Sequence, residues 1–242
     1  GIVMNMQNDM YRPQEFTMAD RASVEDRGWF LVRTYTHLFG AIMAFVAIEF
    51  MIQMTPLAGA MMNLLFAGGQ WGWLLVLGAF MGVSVLANRW AQSGTSIGMQ
   101  YAGLSLYVVA EAFIFAPLIF IAMASKGPEV IVSAAMATGF IFAGLTGVVF
   151  ITRKNFSFMG PFLGVLGMSA MALIVLSMLF GFNLGILFTV AMIALASVYI
   201  LYSTSKVLHE YNTHQYVAAS LALFAAVALL FWYILQLFMS RR

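Results

Sequence analysis

The chain has 242 residues, of which 63% are apolar and 8% are charged, and its formal net charge is +2. Soluble domains carry roughly 25% charged residues, so this composition excludes an ordinary soluble protein and indicates a polytopic membrane protein. The small net charge and the lack of a Lys/Arg run give no support for nucleic-acid binding.

The first 33 residues, 1–33, form a predicted polar cytoplasmic arm that cannot bury much apolar surface by itself. Within it, Thr17–Trp29 is predicted to form a surface helix with Thr17 or Asp20 as its N-cap. The arm is either a loosely ordered tail or a docking arm for a partner protein. Because the polar stretch does not resemble a signal peptide, no cleaved signal is expected.

Seven apolar runs follow, each of about 20 or more residues and therefore long enough to cross a bilayer. They are Thr34–Thr55, Trp71–Gln92, Gly98–Met123, Val130–Ile151, Gly160–Gly181, Gly185–Lys206 and Gln215–Met239. Turn residues such as Gly68-Gly69 separate them, and the connections are short. The sequence thus predicts one all-α transmembrane domain over 34–239 and a short C-terminal tail over 240–242.

The distribution of Lys and Arg predicts the orientation of these helices. With a cytoplasmic N-terminus, that side holds eight basic residues and the far side three, which favours N-in and C-out. The cytoplasmic set is Arg12, Arg21, Arg27, Arg33, Arg89, Arg153, Lys154 and Lys206. Arg89 and Lys206 lie near span ends, where their side chains can snorkel to the headgroups.

Small residues recur at helical spacing, as in Gly78-x3-Gly82, Gly139-x3-Ala143 and Gly160-x3-Gly164. Such spacing is typical of close approach between transmembrane helices. It predicts packing within the chain or, alternatively, a dimer face.

Two acids lie inside predicted spans, Glu49 in the first and Glu111 at the middle of the third. A buried acid in a membrane is costly and usually faces a protein interior or a wet cavity, so each is expected to be neutral unless a cation or water reaches it. Tyr107 precedes Glu111 by one helical turn and can share its face. Glu111 is therefore either an ion or proton site or a structural hydrogen bond between helices. Glu49, with Gln53 one turn later, is either pore-lining or solvated from the far side.

Enzymatic and metal-binding functions have little support in the sequence. The chain has no cysteine, and no Ser/His/Asp set or Gly-rich phosphate loop is present. His209 and His214 flank Glu210 but are five residues apart, which is not the spacing of a helical zinc site. Neither an enzyme nor a metal or other cofactor is expected.

Three segments carry a more specific pattern: FLVRTYTHLFGA at Phe30–Ala41, ITRKNFSFMGPFLGVLGM at Ile151–Met168, and Tyr199–Phe238, which begins YILYSTSKVLHEY. Over nearly all of Phe30–Phe238 the chain resembles the Bax inhibitor-1/YccA family, also called the TMBIM family. The basic-Asn-Phe-Ser-Phe-x-Gly connection is the most distinctive piece. The resemblance implies six helices around a central seventh, here the span Gln215–Met239.

The resemblance also implies an activity. Bacterial relatives are implicated in a pH-sensitive calcium leak, and others bind and modulate a membrane-bound ATP-dependent protease. Leak-competent members carry an aspartate pair in the sixth and seventh helices, and the resemblance places Ser203 and Ala226 at those positions. Without two carboxylates the usual proton-sensing pair cannot operate, so Glu111 becomes the candidate for a relocated acid.

Two functions are therefore expected. The first is a cation (calcium) or proton-linked leak channel whose midmembrane site includes Glu111, with Glu49, Arg89 and Tyr107 as further candidates. The alternative is a non-conducting modulator or accessory subunit of a larger membrane complex, such as a membrane-bound ATP-dependent protease. The expected surroundings are the lipid bilayer of a bacterial-type cytoplasmic (inner) membrane.

Overall fold

The chain folds into seven helices that are long and apolar enough to cross a membrane. The structure, a computed structural model, describes residues 18–19, 22–94 and 96–241, so most of the predicted arm lies outside it. The helices of the described part are α1 (Val24–Met54), α2 (Leu57–Ala91), α3 (Ile97–Ser125), α4 (Pro128–Thr152), α5 (Gly160–Phe180), α6 (Gly185–His209) and α7 (Tyr216–Met239). The predicted all-α, seven-span class is confirmed.

The first spanning helix begins earlier than the hydropathy pattern predicts. Ser23 is its N-cap, and the Ser23 hydroxyl accepts a hydrogen bond of 3.2 Å from the backbone N–H of Asp26. The predicted surface helix Thr17–Trp29 is therefore wrong in its bounds, since its second half belongs to α1 itself. Its suggested caps, Thr17 and Asp20, lie outside the described residues.

The second helix is longer than the predicted span and contains a kink. It begins at Leu57 and continues past the expected break at Gly68-Gly69. Gly69 has φ 57° and ψ −141°, a backbone conformation open to glycine but strained for other residues. The backbone is helical both before and after Gly69, so the break is a one-residue kink rather than a loop.

The C-terminal helix is the centre of the bundle, as the family resemblance implies. In the most apolar window of α7, 67% of the residues are buried, and the corresponding share for α3 is 56%. The share is 22% or less in the other five helices. Helix α7 packs against α1, α2, α3, α4 and α6. The bundle thus has two interior helices, and Glu111 belongs to one of them.

Helix α5 lies at the periphery and is loosely packed. Ala170 is its one buried residue, and the helix packs mainly against α2 and α6. Because α5 does not fill the space beside α2, a cavity remains between these helices.

Most glycines of the predicted small-residue motifs are not sites of close helix approach. No heavy atom outside the local helix lies within 4 Å of where a Cβ would stand at Gly78, Gly82, Gly139 or Gly164. Close packing within the chain is therefore wrong for these four glycines. Gly160 does pack closely, because a Cβ there would lie 3.1 Å from the Tyr202 hydroxyl of α6. A tighter contact occurs at Gly103, where α3 meets the backbone of α2.

The face of the bundle at which α1 begins, called the N face here, is held together by its connections. The backbone N–H of Phe156, in the loop between α4 and α5, donates to the Ser205 hydroxyl of α6 at 2.7 Å. The backbone N–H of Ala19 donates to the carbonyl of Tyr211 at 2.8 Å. Ala19, which belongs to the predicted arm and precedes α1, is thus docked on the α6–α7 connection.

Candidate functional site

Glu111 lies at the midpoint of α3, and 6% of its surface is exposed. It lines a cavity of about 780 Å³ whose walls come from α2, α3, α5, α6 and α7. Because Glu111 is buried, its protonation depends on the groups that line the cavity. The position of Glu111 is thus that of a group facing an internal cavity.

Tyr107, one helical turn earlier, is a polar neighbour of Glu111. The two side chains are within hydrogen-bonding reach of each other, and the Tyr107 hydroxyl is also within reach of Ser84 on α2. Tyr199 of α6 approaches Tyr107 across the cavity. A protonated Glu111 can donate a hydrogen bond to Tyr107, and an ionised Glu111 can accept one from it. Glu111 can therefore take up or release a proton and keep Tyr107 as its hydrogen-bond partner.

The cavity extends from Glu111 toward the face opposite the N face. Its far end is formed by Asn183 in the α5–α6 connection and by Gln236 near the end of α7. Its side reaches the surface of the bundle, because the lining residues Met81 and Val85 are 45% and 56% exposed. Within the described residues the lining contains no Lys, Arg or His, and most of it is apolar.

Polar and aromatic side chains continue from the cavity toward the N face. Tyr199 is within hydrogen-bonding reach of Ser203 on the same helix. Its ring stacks with that of Tyr202 at 6.4 Å, and the Lys206 ammonium lies over the rings of Tyr202 and Tyr211 at 5.5 and 5.3 Å. Burial raises the pKa of the Tyr211 hydroxyl well above its usual value, so Tyr211 remains a protonated donor.

Glu49 does not line this cavity. It is buried at the contact between α1 and α3, with 6% of its surface exposed. Its Oε1 accepts a 2.9 Å hydrogen bond from Gln53, whose amide also donates to the carbonyl of Ala116 at 3.0 Å. Its Oε2 is buried and has no hydrogen-bond partner in the described part of the chain. Glu49 therefore lies at a helix contact, outside the cavity that Glu111 lines.

Aromatic side chains pack tightly where α1, α3 and α7 meet. Phe45 of α1 meets Phe115 of α3 edge to face at 5.2 Å, and Phe115 also meets Trp232 of α7 at 5.0 Å. A charged or hydrated group cannot pass such a packed apolar wall without a large desolvation cost. The structure thus separates Glu49 from the site at Glu111.

Arg89 also lies apart from Glu111. It is an exposed residue in the last turn of α2, on the N face, and it does not line the cavity. Among the predicted candidates the structure therefore brings together Glu111 and Tyr107, and leaves Glu49 and Arg89 outside.

The two positions that the resemblance assigns to the aspartate pair are buried. Ser203 is 2% exposed and faces Tyr199, and Ala226 is fully buried in the apolar core around α7. Neither residue is among those that line the cavity. The hydroxyl of Ser203 can join a hydrogen-bonded series, whereas Ala226 contributes no polar group.

Ser84 and Tyr199 are members of the site that sequence reasoning missed. Each is a polar group inside an apolar span, which is the signal that could have found them. Their relation to Glu111 depends on how α2 and α6 pack against α3, and no periodicity within one helix reveals that.

A metal ion has no evident set of ligands here. Among residues 18–19, 22–94 and 96–241, no three His, Cys, Asp or Glu side chains come together. One carboxyl group with hydroxyl neighbours can bind and release a proton. It is a sparse site for calcium, which takes about 6–8 oxygen ligands.

Comparison with known proteins agrees with this architecture. The chain is 26% identical over 160 residues to the uncharacterized protein PA2604 of Pseudomonas aeruginosa, an alignment that covers 66% of this chain and 68% of that protein. The profile of the family described as "Inhibitor of apoptosis-promoting Bax1" matches residues 27–242. The match includes all but the first few residues of α1 and the whole of the other six helices, and the chain therefore belongs to the Bax inhibitor-1 family of multi-pass membrane proteins.

Proposed function

We propose that the protein is a proton-linked leak protein of the cytoplasmic (inner) membrane, with Glu111 as its titrating group. The observation that carries the proposal is the position of the Glu111 carboxyl group, at mid-helix, beside Tyr107 and on the wall of a cavity of about 780 Å³. Ionisable groups inside a membrane domain commonly mark ion or proton pathways. The protein is not proposed to be an enzyme.

The chemistry of the cavity favours a proton over calcium as the conducted species. Glu111 is the single carboxylic acid among the described lining residues, and its polar neighbours are Tyr107, Ser84 and Tyr199. A calcium ion that entered an apolar cavity with so few oxygen atoms would lose most of its hydration shell without replacement. A proton needs one acceptor and a series of hydroxyl groups or waters on either side.

The path that we propose has two halves that meet at Glu111. Water enters the half that ends at Asn183 and Gln236, and the hydroxyls of Tyr107 and Tyr199 lead toward Ser203 and the N face. Because Ser203 and Ala226 supply no acid, Glu111 takes the titrating role that an aspartate pair has in leak-competent relatives.

Flux measurements in proteoliposomes test this proposal. Proton flux and calcium flux are measured separately for the native protein, Glu111→Gln and Glu49→Gln. We expect proton flux from the native protein and from Glu49→Gln, and a loss of at least tenfold in Glu111→Gln, because an amide cannot take up a proton there. Native flux no higher than that of empty vesicles, or equal flux in Glu111→Gln, would refute the proposal.

A second function is favoured by the buried, acid-free positions Ser203 and Ala226. In this alternative the protein does not conduct and instead modulates a larger membrane complex, such as a membrane-bound ATP-dependent protease. The docked segment at Ala19, which contacts the α6–α7 connection, would carry the preceding arm to the N face for that contact. Purification in a mild detergent, with and without residues 1–17, tests it: a protein that isolates alone in both forms contradicts the alternative.

We also propose that the N face is cytoplasmic, as the distribution of basic residues predicts. The chain contains no cysteine, so single cysteines can be introduced without background labelling. Lys154 and Asn183 are both exposed and lie at opposite faces. In intact cells an impermeant thiol reagent should label Asn183→Cys and should label Lys154→Cys only after permeabilisation.

A further inference from the structure

A groove runs along the outer surface of the bundle between α1 and α3 and has a volume of about 390 Å³. Its floor consists of the buried residues Ala41, Leu104 and Val108. The exposed residues Gly40 and Ala44 of α1 form part of its rim, so one wall carries almost no side chain. This surface faces hydrocarbon in a membrane, and the matching occupant of the groove is an apolar chain.

The N-face end of the groove is polar. His37, which lines it, has its Nε2 at 2.6 Å from the Tyr101 hydroxyl and its Nδ1 at 2.6 Å from the Arg33 carbonyl. The His37 ring also packs against that of Tyr216 at 5.1 Å. These contacts join α1, α3 and α7 into one rigid polar cluster directly above the apolar groove.

Arg33 places a positive charge on this cluster. Its guanidinium lies over the rings of Trp29 and Tyr216 at 5.9 and 5.4 Å. It also interacts electrostatically with the Tyr101 hydroxyl. No carboxylate of the described residues forms an ion pair with it. Aromatic rings thus hold the cation in position without neutralising its charge.

We propose that this surface binds one anionic phospholipid from the N-face leaflet. The phosphate contacts the Arg33 guanidinium, and one acyl chain lies in the groove beside Gly40 and Ala44. The position of Trp29 at the same end agrees with a headgroup level, where tryptophan is common. The charge of Arg33 selects the lipid class, because a guanidinium that pairs with no carboxylate of the described residues favours a headgroup with net negative charge over a zwitterionic one.

This site is separate from the cavity at Glu111. On α3 the groove is lined by Leu104, Ser105, Val108 and Val109, whereas Tyr107 and Glu111 line the cavity, and no residue lines both. The lipid proposal therefore stands or falls independently of proton flux.

Native mass spectrometry of the full chain, with phosphatidylglycerol and phosphatidylcholine added at equal concentration, tests the proposal. The native protein should retain phosphatidylglycerol preferentially as a single tight adduct. Arg33→Gln should weaken that adduct by about fivefold, the effect expected for one basic residue at a lipid surface. Gly40→Leu should weaken it as well, because no heavy atom lies within 4 Å of a Cβ there and the leucine side chain fills the groove.

Two matched variants act as controls. Lys154→Gln removes an exposed positive charge from the same face, and Gly139→Leu adds the same side chain to an exposed α4 position with equally open surroundings. Both should bind the lipid as the native protein does, and thermal melting checks that all four variants fold. If Arg33→Gln and Lys154→Gln lose equal affinity, or if Gly40→Leu binds as tightly as Gly139→Leu, the site does not exist as proposed.

Discussion

Gly103 of α3 lies so close to Ala87 of α2 that a Cβ at position 103 would stand 2.5 Å from the Ala87 carbonyl oxygen and 2.6 Å from the backbone nitrogen of Ala91. Backbone atoms cannot move aside as the end of a flexible side chain can. The close packing of α2 against α3 thus requires glycine at position 103, because its side chain is a single hydrogen atom. Because α3 carries Tyr107 and Glu111 while α2 carries Ser84, this contact also sets the geometry of the candidate site.

Replacement of Gly103 by alanine should therefore destabilise the protein. We expect a loss of about 1–3 kcal/mol in the free energy of unfolding, the usual cost of overpacking a close contact. Unfolding by SDS titration in mixed micelles measures this. Gly98→Ala is the control on the same helix, since its Cβ would meet only Ser96 Oγ, at 3.6 Å, an ordinary contact. Equal stability of the two variants would contradict the tight packing.

The kink in α2 gives a second prediction. At Gly69 a Cβ has no heavy atom within 4 Å, so the cost of Gly69→Ala comes from the backbone conformation alone. A non-glycine residue forced into this region costs about 1–3 kcal/mol. Gly68→Ala changes the adjacent helical residue and should be neutral or stabilise by about 0.5–1 kcal/mol. The same titration compares the pair, and a Gly69→Ala variant as stable as Gly68→Ala would show that the kink is absent.

The loop between α4 and α5 depends on one buried hydroxyl group. Ser205 is fully buried and accepts from the backbone N–H of Phe156 at 2.7 Å. Ser205→Ala leaves that N–H without its acceptor, and we expect a loss of about 1–3 kcal/mol. Ser169→Ala is the control, since Ser169 is exposed and bonds only within its own helix; its change should stay within about 0.5 kcal/mol. Thermal melting in detergent distinguishes the two, and identical melting temperatures would exclude the loop contact.

Glu49 should be dispensable for stability. Glu49→Leu removes a buried carboxyl oxygen that has no partner in the described chain, and Gln53 keeps the carbonyl of Ala116 as its acceptor. Removing an unsatisfied buried polar atom should raise the free energy of unfolding by about 1 kcal/mol or more. A fall in stability would mean that Glu49 has a partner, such as a bound water or cation. The SDS titration used for Gly103→Ala provides the measurement.

Much of the fold could be predicted because a bilayer imposes a strong requirement on each segment separately. A span needs about 20 apolar residues whatever its neighbours are, so the runs from α3 to α7 appear in the sequence nearly as they appear in the structure. The errors lie where local chemistry departs from hydropathy. Ser23 caps a helix that starts among charged residues, and Gly69 bends a helix where two glycines suggested a break.

The candidate site was partly predictable for the same reason. Tyr107 and Glu111 are one turn apart on a single helix, so their proximity follows from helical geometry. Ser84 and Tyr199 come from other helices, and their approach depends on contacts such as that of Gly103 with Ala87. Most of the small-residue motifs misled, because spacing permits close approach but does not select which glycine meets another helix; among their glycines, Gly160 does so.

By itself, the sequence determined that this protein is a seven-span helical membrane protein and that an acid lies at the centre of α3, because both follow from the apolar character of single segments. Only the tertiary structure decided which acid faces a cavity. Glu49 and Glu111 are both buried acids inside spans, yet one is held at the α1–α3 contact and the other opens onto a space beside α5. The difference arises from the packing of whole helices, which sums many weak contacts between segments distant in the chain.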